Sequence, residues 1–295
     1  MPKYLDPKND LMFKKVFGEH KHLCISLLNS LLKFEGDKQI EWIEYETNEM
    51  LPDLPPFDKN GLVDVRCRDK AGRQFIVEMQ MNWTNRFQTR VLFNASKAYI
   101  KQVEKGESYD LAQPVYLLSL VNDIFEKDPA MKEVFYHHYK IVNIANTEKQ
   151  IKGLEFVFVE LPKYKPYGKK ERDYFNLWLR FFTEIHSESE EIPADLLDNK
   201  ELSEAVKYVL ASSLTQKERD IYDRIRDAQM TEHALIYGTR HDALIEGRAE
   251  GRAEGREEGW AEGMVKVAKK LKDKGTPILE IMEITGLSEE DIGNL

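Results

Sequence analysis

The chain has 295 residues, of which 42% are hydrophobic and 11% aromatic, so it can bury a core and cannot be disordered along its whole length. Its formal net charge of −9 counts against a general nucleic-acid binder, although a local basic surface can still hold DNA. Its two cysteines, Cys24 and Cys67, are too few for a disulfide framework and favour a reducing compartment. The start lacks the apolar run of a signal peptide, and no stretch has the roughly 18 apolar residues of a membrane helix. We therefore expect a cytoplasmic protein without a membrane segment.

The first part of the chain combines helices with a β-hairpin. Residues 9–34 predict a helical stretch with a break at Gly18, because apolar residues recur there at helical spacing. Residues 39–51 predict an extended segment. Alternating apolar and polar residues then predict a hairpin, with one strand from Gly61 to Arg68 and the next from Gln74 to Gln80.

One helix and three strands follow before helices dominate. Residues 84–105 predict a long amphipathic helix that ends near Gly106. The apolar run VYLLSLV, Val115 to Val121, predicts a buried strand. Two further strands and two helical stretches are expected at Phe135–Asn143, Leu154–Leu161, 171–187 and 199–237. This order predicts an α/β fold with a helical C-terminal region.

The chain divides by composition into four predicted segments. These are a core from 1 to 165, a helical region from 166 to 240, a Glu-Gly-Arg repeat from 241 to 264, and a small helical element from 265 to 295. The last element resembles half of a helix-turn-helix, with a Thr-Gly turn and Ser288 as the cap of a short helix. Its acidic residues favour an interaction role over DNA binding.

The predicted hairpin carries two acidic residues that oppose each other. A three-residue loop from Lys70 to Gly72 pairs Asp64 with Glu78, and directly opposed residues have Cβ atoms roughly 4.5–5.5 Å apart. Two carboxylates at that distance repel, and a divalent cation such as Mg²⁺ would offset the repulsion. The backbone carbonyl of Met79 is a further candidate ligand. The alternative is an ordinary solvated face of an antiparallel sheet.

A basic stripe follows on the predicted helix. Arg86, Arg90, Lys97 and Lys101 fall on one side of the helix at about 100° per residue. Such a stripe beside a carboxylate site predicts contact with the DNA backbone. The alternative is a solvated helix face.

Several stretches of the chain resemble one known family: DLMFKKVFG, VDVRCRD, FIVEMQ, the helix and strand from Arg86 to Leu120, and the Glu-Gly-Arg tail. The chain resembles in them the recombination-promoting nuclease/transposase family, which belongs to the PD-(D/E)xK nuclease superfamily. The resemblance implies a restriction-endonuclease-like core, a mixed sheet flanked by helices. It implies that Asp64 and Glu78 are metal ligands. Gln80 stands where the superfamily has lysine, and as a neutral amide it would orient a water or a phosphate oxygen. Asp10 matches an acidic position on the first helix and is a candidate for a second metal or a water.

These observations predict a Mg²⁺-dependent DNA endonuclease that promotes recombination or acts on mobile DNA, with Asp64, Glu78 and Gln80 as the catalytic residues. The first alternative is a non-catalytic DNA-binding or assembly protein with the nuclease fold, favoured by Gln80 and by the negative net charge. The second is a ribonuclease or a defence effector with the same core.

The Glu-Gly-Arg repeat leaves two predictions open. Its glycines fit a flexible linker, because each glycine in a helix costs about 1 kcal/mol relative to alanine. They also fit a parallel homodimer of helices, in which the small residues allow close approach and the Glu flank of one helix meets the Arg flank of the other. A repeat of four residues exceeds the 3.6 of the α-helix, so any wrapping is right-handed.

Overall fold

The computed structural model describes residues 3–46, 64–104, 106, 108–166 and 173–295. Its strands are β1 Ile43–Tyr45, β2 Asp64–Asp69, β3 Gln74–Gln80, β4 Val115–Val121, β5 Tyr136–Asn143 and β6 Asn146–Glu160. They form one sheet in the order β1-β2-β3-β4-β6-β5, in which β3, β4 and β6 run parallel and the other neighbours are antiparallel. The mixed sheet of the predicted α/β core is thereby confirmed. The first residues of the predicted hairpin, 61–63, and the end of the predicted extended segment, 47–51, lie outside the described residues.

Helices cover both faces of this sheet. In chain order, the helices of the described residues are α1 Asp10–Phe13, α2 Lys21–Leu31, α3 Asn85–Ile100, α4 Tyr174–Glu184, α5 Ala194–Leu197, α6 Lys200–Tyr208, α7 Gln216–Asp273, α8 Ile278–Thr285 and α9 Glu289–Gly293. A π-helical turn, Lys14–Gly18, extends α1 and ends at the predicted break. The connection from β3 through α3 to the parallel strand β4 is a βαβ crossover.

Two hydrophobic cores lie on opposite faces of the sheet. The larger one joins the aromatic residues Phe17, Trp178 and Phe182 of the N-terminal helical stretch and α4 to the β2 and β3 residues that include Val65 and Val77. The smaller core joins the apolar side of α3 to the other face of the sheet. It contains Phe87, Val91, Ala95, Ala98, Ile76, Leu117 and Phe158. Consecutive strand residues point to opposite faces, so β3 contributes to both cores.

The two cysteines lie in the larger core. Cys24 and Cys67 are free and buried. A hydrogen bond with Cys24 and burial raise the pKa of the Cys67 thiol, which therefore stays protonated at neutral pH.

Two predicted helices have different limits in the structure. The predicted helix 84–105 ends as an α-helix at Ile100, because the Gln102 side chain binds both the N–H and the carbonyl of Gln113 and turns the chain. The predicted helix 199–237 is interrupted between α6 and α7. There the N-terminal segment pairs with the stretch between α6 and α7. The Leu5 N–H donates to the Val209 carbonyl, and the Ala211 N–H donates to the Lys3 carbonyl. A sequence-based helix prediction contains no information about that pairing.

The structure divides into two compact units, Met1–Met230 and Thr231–Leu295. The predicted boundary between residues 165 and 166 does not separate compact units. Trp178 on α4 packs against Phe17 at 5.3 Å between ring centroids, within the core of the first unit. The predicted helical region up to about residue 230 is therefore part of the same folded body as the sheet.

The second unit contains the Glu-Gly-Arg repeat and the C-terminal helices. The repeat is helical, within α7. Gly286 ends α8 in the left-handed region with φ 70°, and Ser288 forms a capping box with Asp291 at the start of α9, as the sequence predicts. Ile281, Ile292 and Ala268 form a small core of their own. Within the described residues, no helix is long and apolar enough to span a membrane.

Candidate active site

The hairpin of β2 and β3 brings the two predicted acidic ligands into register. Asp64 pairs directly with Glu78, and the pairing continues to Arg68 opposite Gln74. This is the register that the three-residue loop predicts. Directly opposed residues of an antiparallel pair share one face of the sheet, so positions 64 and 78 lie side by side on that face.

The turn of the hairpin fixes this register through Asp69. Its carboxylate accepts a hydrogen bond from the backbone N–H of Arg73 at 2.9 Å and another from the Arg73 Nε at 2.7 Å. Gly72 adopts φ 82°, a conformation that L side chains rarely adopt, so glycine is required at this point of the loop. The local sequence thus sets which residues oppose each other further along both strands.

The face that carries Glu78 is covered by α3. Glu78 is 2% exposed, and Ile76, two residues earlier on the same face, packs in the core beneath α3. The neighbour of Glu78 on β4 is Ser119, which is completely buried. A solvated polar face, the alternative drawn from the sequence, therefore does not describe the position of Glu78. The chain places this carboxylate between a helix and a sheet.

Gln80 is held by two hydrogen bonds at the end of β3. Its Nε2 donates to the carbonyl of Asn82 at 2.7 Å, and its Oε1 accepts from the Nη2 of Arg90 at 3.1 Å. The start of α3 is itself fixed, since Trp83 N–H donates to the Asp123 carboxylate at 2.9 Å. The predicted orienting residue is thus joined to α3 through Arg90, which the sequence assigned only to the DNA backbone.

Two buried polar residues beside Glu78 were missed by the sequence prediction. Asn94 on α3 is 8% exposed and Ser119 on β4 is 0% exposed. Neither the Asn94 Nδ2 nor the Ser119 Oγ has a hydrogen-bond partner among the described residues. A polar residue on the apolar side of a predicted helix, or within the apolar run VYLLSLV, was the signal that could have identified them.

Ideal helix and strand geometry brings Asn94 to the level of Glu78. The rise along α3 from Arg90 to Asn94 is about 6 Å, and the rise along β3 between Gln80 and Glu78 is about 6.6 Å. Since Arg90 meets Gln80, Asn94 comes level with Glu78 on the side of α3 that faces the sheet. The two helix residues and the two strand residues therefore enclose one polar region beneath α3.

Asp10 and Met79 are the two further residues that the sequence predicts as metal ligands. Asp10 lies in the first turn of α1, and its Oδ1 accepts a hydrogen bond from Gln229 Nε2 at 3.2 Å. The following residues of α1, Met12 and Phe13, belong to the larger core, on the face opposite to Glu78. The Met79 side chain belongs to that core too, so only its backbone carbonyl can serve the site. Both assignments as metal ligands stay predictions.

The predicted basic stripe lies along the flank of α3 that faces β2 and β3. Arg86 and Lys101 are exposed, Lys97 is half-buried, and Arg90 is half-buried against Gln80. Beyond the acidic pair, a cleft of about 420 Å³ runs between this flank and the hairpin. Its lining includes the cations Arg66, Arg68 and Lys101. The structure thus places these cations, together with Glu46, along a groove between α3 and the hairpin.

The donor set of the site fits a divalent cation held by few protein ligands. Mg²⁺ is usually bound through one or two carboxylates, with waters and substrate phosphate completing its shell. The pair at positions 64 and 78 supplies these two carboxylates. Within the part of the chain that the structure describes, no group of three or more His, Cys, Asp or Glu side chains forms a larger metal cluster. Two carboxylates therefore fit a hard cation whose remaining ligands are waters and substrate phosphate.

A mixed sheet with a β-hairpin that opposes two acidic residues, followed by a basic crossover helix, defines a nuclease-type α/β domain. The family model described as PD-(D/E)XK nuclease family transposase matches residues 7–237. The chain belongs to this family, as its sequence motifs indicate, and the family implies DNA as the substrate. No curated protein and no solved structure matches the chain.

Proposed function

We propose that this protein is a Mg²⁺-dependent DNA endonuclease that promotes recombination or acts on mobile DNA, with Asp64 and Glu78 as the metal-binding residues. The observation that carries the proposal is the buried Glu78 in register with Asp64, beside the basic flank of α3. Two acidic residues in register supply the one or two carboxylates through which Mg²⁺ is usually bound. The family membership supports nuclease chemistry at this place.

The roles of the residues follow from this geometry. A divalent cation held by Asp64 and Glu78 would lower the pKa of a water and neutralise charge on the scissile phosphate. The exposed cations Arg86 and Lys101, with Lys97, would hold the phosphates of the strand along the flank of α3. The helix α3 covers Glu78 and limits the access of bulk water to it, which strengthens the charge interactions of this carboxylate.

Plasmid nicking by the purified protein tests the proposal. Wild-type protein should cleave with Mg²⁺ and lose cleavage with EDTA, and Glu78→Gln and Asp64→Asn should be inactive, because each amide keeps the shape of the side chain and removes a ligand charge. Glu148→Gln, which changes an exposed carboxylate on β6, is the matched control and should cleave normally. An RNA substrate of the same length in a parallel reaction distinguishes a ribonuclease.

Three results contradict the proposal. Cleavage that survives Glu78→Gln means that the activity belongs to another site. Cleavage of RNA alone replaces the DNA substrate. The absence of cleavage with Mg²⁺ and with Mn²⁺, together with retained DNA binding, supports the alternative of a non-catalytic DNA-binding protein.

We also propose that the chain forms a parallel homodimer through the Glu-Gly-Arg repeat. The repeat is helical although glycine recurs at every fourth position, and a Cβ added at Gly247, Gly251, Gly255, Gly259 or Gly263 would meet no described atom within 4 Å. An isolated helix with this glycine content is poorly stable, so a second helix in close contact would stabilise it.

We also propose that the protein is cytoplasmic. The two free, buried cysteines support such a reducing setting.

A further inference from the structure

Gln80 is engaged at both ends of its amide. Its Nε2 binds the Asn82 carbonyl and its Oε1 binds the Arg90 guanidinium, so the residue is oriented by its neighbours. A neutral amide in this state cannot supply the positive charge that developing negative charge on a phosphate requires. It can, however, hold a cationic side chain in place.

Arg90 carries a charge that no carboxylate neutralises within the described chain. Its hydrogen bond to Gln80 goes to a neutral oxygen, and its Nε is buried without a hydrogen-bond partner among the described residues. The guanidinium also lies over the ring of Phe87, at 5.2 Å from the ring centroid. A half-buried cation that has no anionic partner among the described residues is costly.

The Arg90 guanidinium contacts β3 close to Glu78, at Gln80. Arg90 meets Gln80, which lies two residues after Glu78 on the same face of β3, and Asn94 follows one helical turn later at the level of Glu78. The guanidinium has five N–H donors in a planar fork that suits two oxygens of a phosphate. A phosphate bound at the acidic pair would thus have a cation near it on α3.

We propose that Arg90 is a catalytic residue that donates hydrogen bonds to the non-bridging oxygens of the scissile phosphate, and that Gln80 is the residue that positions it. This inference rests on the proposed nuclease function. In the hydrolysis, a water oxygen forms a bond to phosphorus and gives up one proton, while the bond from phosphorus to one ester oxygen breaks and that oxygen takes up a proton from solvent. Arg90 neither gives nor takes a proton in this step, and its positive charge stabilises the added negative charge.

The kinetic test compares substitutions at two positions that meet in space. Arg90→Gln should lower kcat about 10²–10³-fold, the usual effect of removing one donor to a developing oxyanion, and should change KM much less. Arg90→Lys should keep part of the activity, because it keeps the charge and loses the fork. Arg224→Gln, an exposed arginine on α7, is the matched control and should keep the wild-type kcat.

A rescue variant distinguishes this role from a structural one. Gln80→Lys in the Arg90→Gln protein returns a cation to the site from β3 and should raise kcat at least tenfold over Arg90→Gln alone. Gln80→Ala should lower kcat in the wild-type background and have little further effect in the Arg90→Gln background, since the two residues act as a unit. Urea unfolding of each variant checks that the fold is kept.

A binding measurement separates the failure of this inference from the failure of the proposed function. With Ca²⁺ in place of Mg²⁺, Arg90→Gln should weaken binding of a fluorescent DNA duplex and reduce the slope of log K against log salt by about one, the amount expected for one phosphate contact. If the wild type does not cleave but this difference is found, the nuclease proposal fails and the phosphate contact of Arg90 stands. If the wild type cleaves in a Glu78-dependent manner and Arg90→Gln cleaves equally fast, the inference is overturned. Unchanged DNA affinity and slope in Arg90→Gln also overturn it.

Discussion

The Glu160 carboxylate lies 2.7 Å from the Lys163 ammonium, and both side chains are buried. The Glu160 Oε2, which contacts Lys163, is also 2.9 Å from His137 Nε2. The Glu160 Oε1 accepts hydrogen bonds from the backbone N–H groups of Phe125 at 2.7 Å and Glu126 at 3.0 Å. One carboxylate thus joins the end of β6 to β5 and to the loop that follows β4. That loop includes Asp123, which fixes the start of α3.

We expect Glu160→Gln to destabilise the first unit by about 3 kcal/mol, because it leaves the Lys163 ammonium buried without its anionic partner. The measurement is the free energy of unfolding in urea. Glu155→Gln is the matched control, since Glu155 lies on the same strand in a more exposed ion pair with Lys140, and its loss should cost less than about 1 kcal/mol. Equal destabilisation by the two substitutions would contradict the assigned role of the buried cluster.

The ion pair between Lys15 and Glu218 predicts a dependence of stability on pH. A hydrogen bond from the Lys15 Nζ, at 2.7 Å, is the main reason that the pKa of Glu218 is lowered from 4.5 to about 2. A lowered folded-state pKa stabilises the protein above the unfolded-state pKa, and this stabilisation is lost as the pH falls from about 4.5 towards 2. We expect at most about 1 kcal/mol, because the pair is partly exposed to solvent.

Urea midpoints of the wild type and of Glu218→Gln at several pH values check this dependence. The wild type should be the more stable protein at pH 6, and the difference should shrink once the pH is below about 4.5. A difference that stays constant down to pH 3 would show that the interactions of Glu218 with Thr215, and not its charge, account for its effect.

The cleft between α3 and the hairpin predicts a salt-dependent contribution to DNA binding from Lys101. Its side chain is exposed and lines the cleft, so Lys101→Gln should weaken binding of different DNA sequences to a similar extent and reduce the salt slope by about one. Fluorescence anisotropy at several salt concentrations measures both quantities. Lys152→Gln, an exposed lysine on β6, should leave them unchanged. If both variants lose the same affinity, the effect is one of net charge and not of this cleft.

Replacing glycine by alanine in the repeat should stabilise a solitary helix but weaken the proposed parallel homodimer. In a solitary exposed helix, Gly251→Ala with Gly255→Ala would increase helix stability by about 1 kcal/mol for each residue. In a closely packed seam, the added methyl groups would separate the two helices. We expect a dimeric mass for the wild type by light scattering and a larger monomer fraction for the double variant. A monomeric wild type, or a dimer unaffected by the alanines, would argue against the seam.

The hairpin shows how far local sequence can fix a site. Its alternation of apolar and polar residues and its short loop set the register of Asp64 with Glu78, and the structure has that register. The capping box of Ser288 is equally local and is also as predicted. The break between α6 and α7 was not predicted, because it depends on pairing with residues near Lys3, about 200 positions away.

The sequence by itself determined the α/β class, the hairpin, the acidic pair and the place of the basic residues on α3, because periodicity and turn chemistry act over a few residues. The tertiary structure decided that the face of Glu78 is covered, that Arg90 meets Gln80, and that His137 and Lys163 meet Glu160. Alternation along a strand gives the two faces of a sheet but not which element packs on each. Burial and charge pairing at this site therefore depend on how the crossover helix packs on the sheet, which no local pattern specifies.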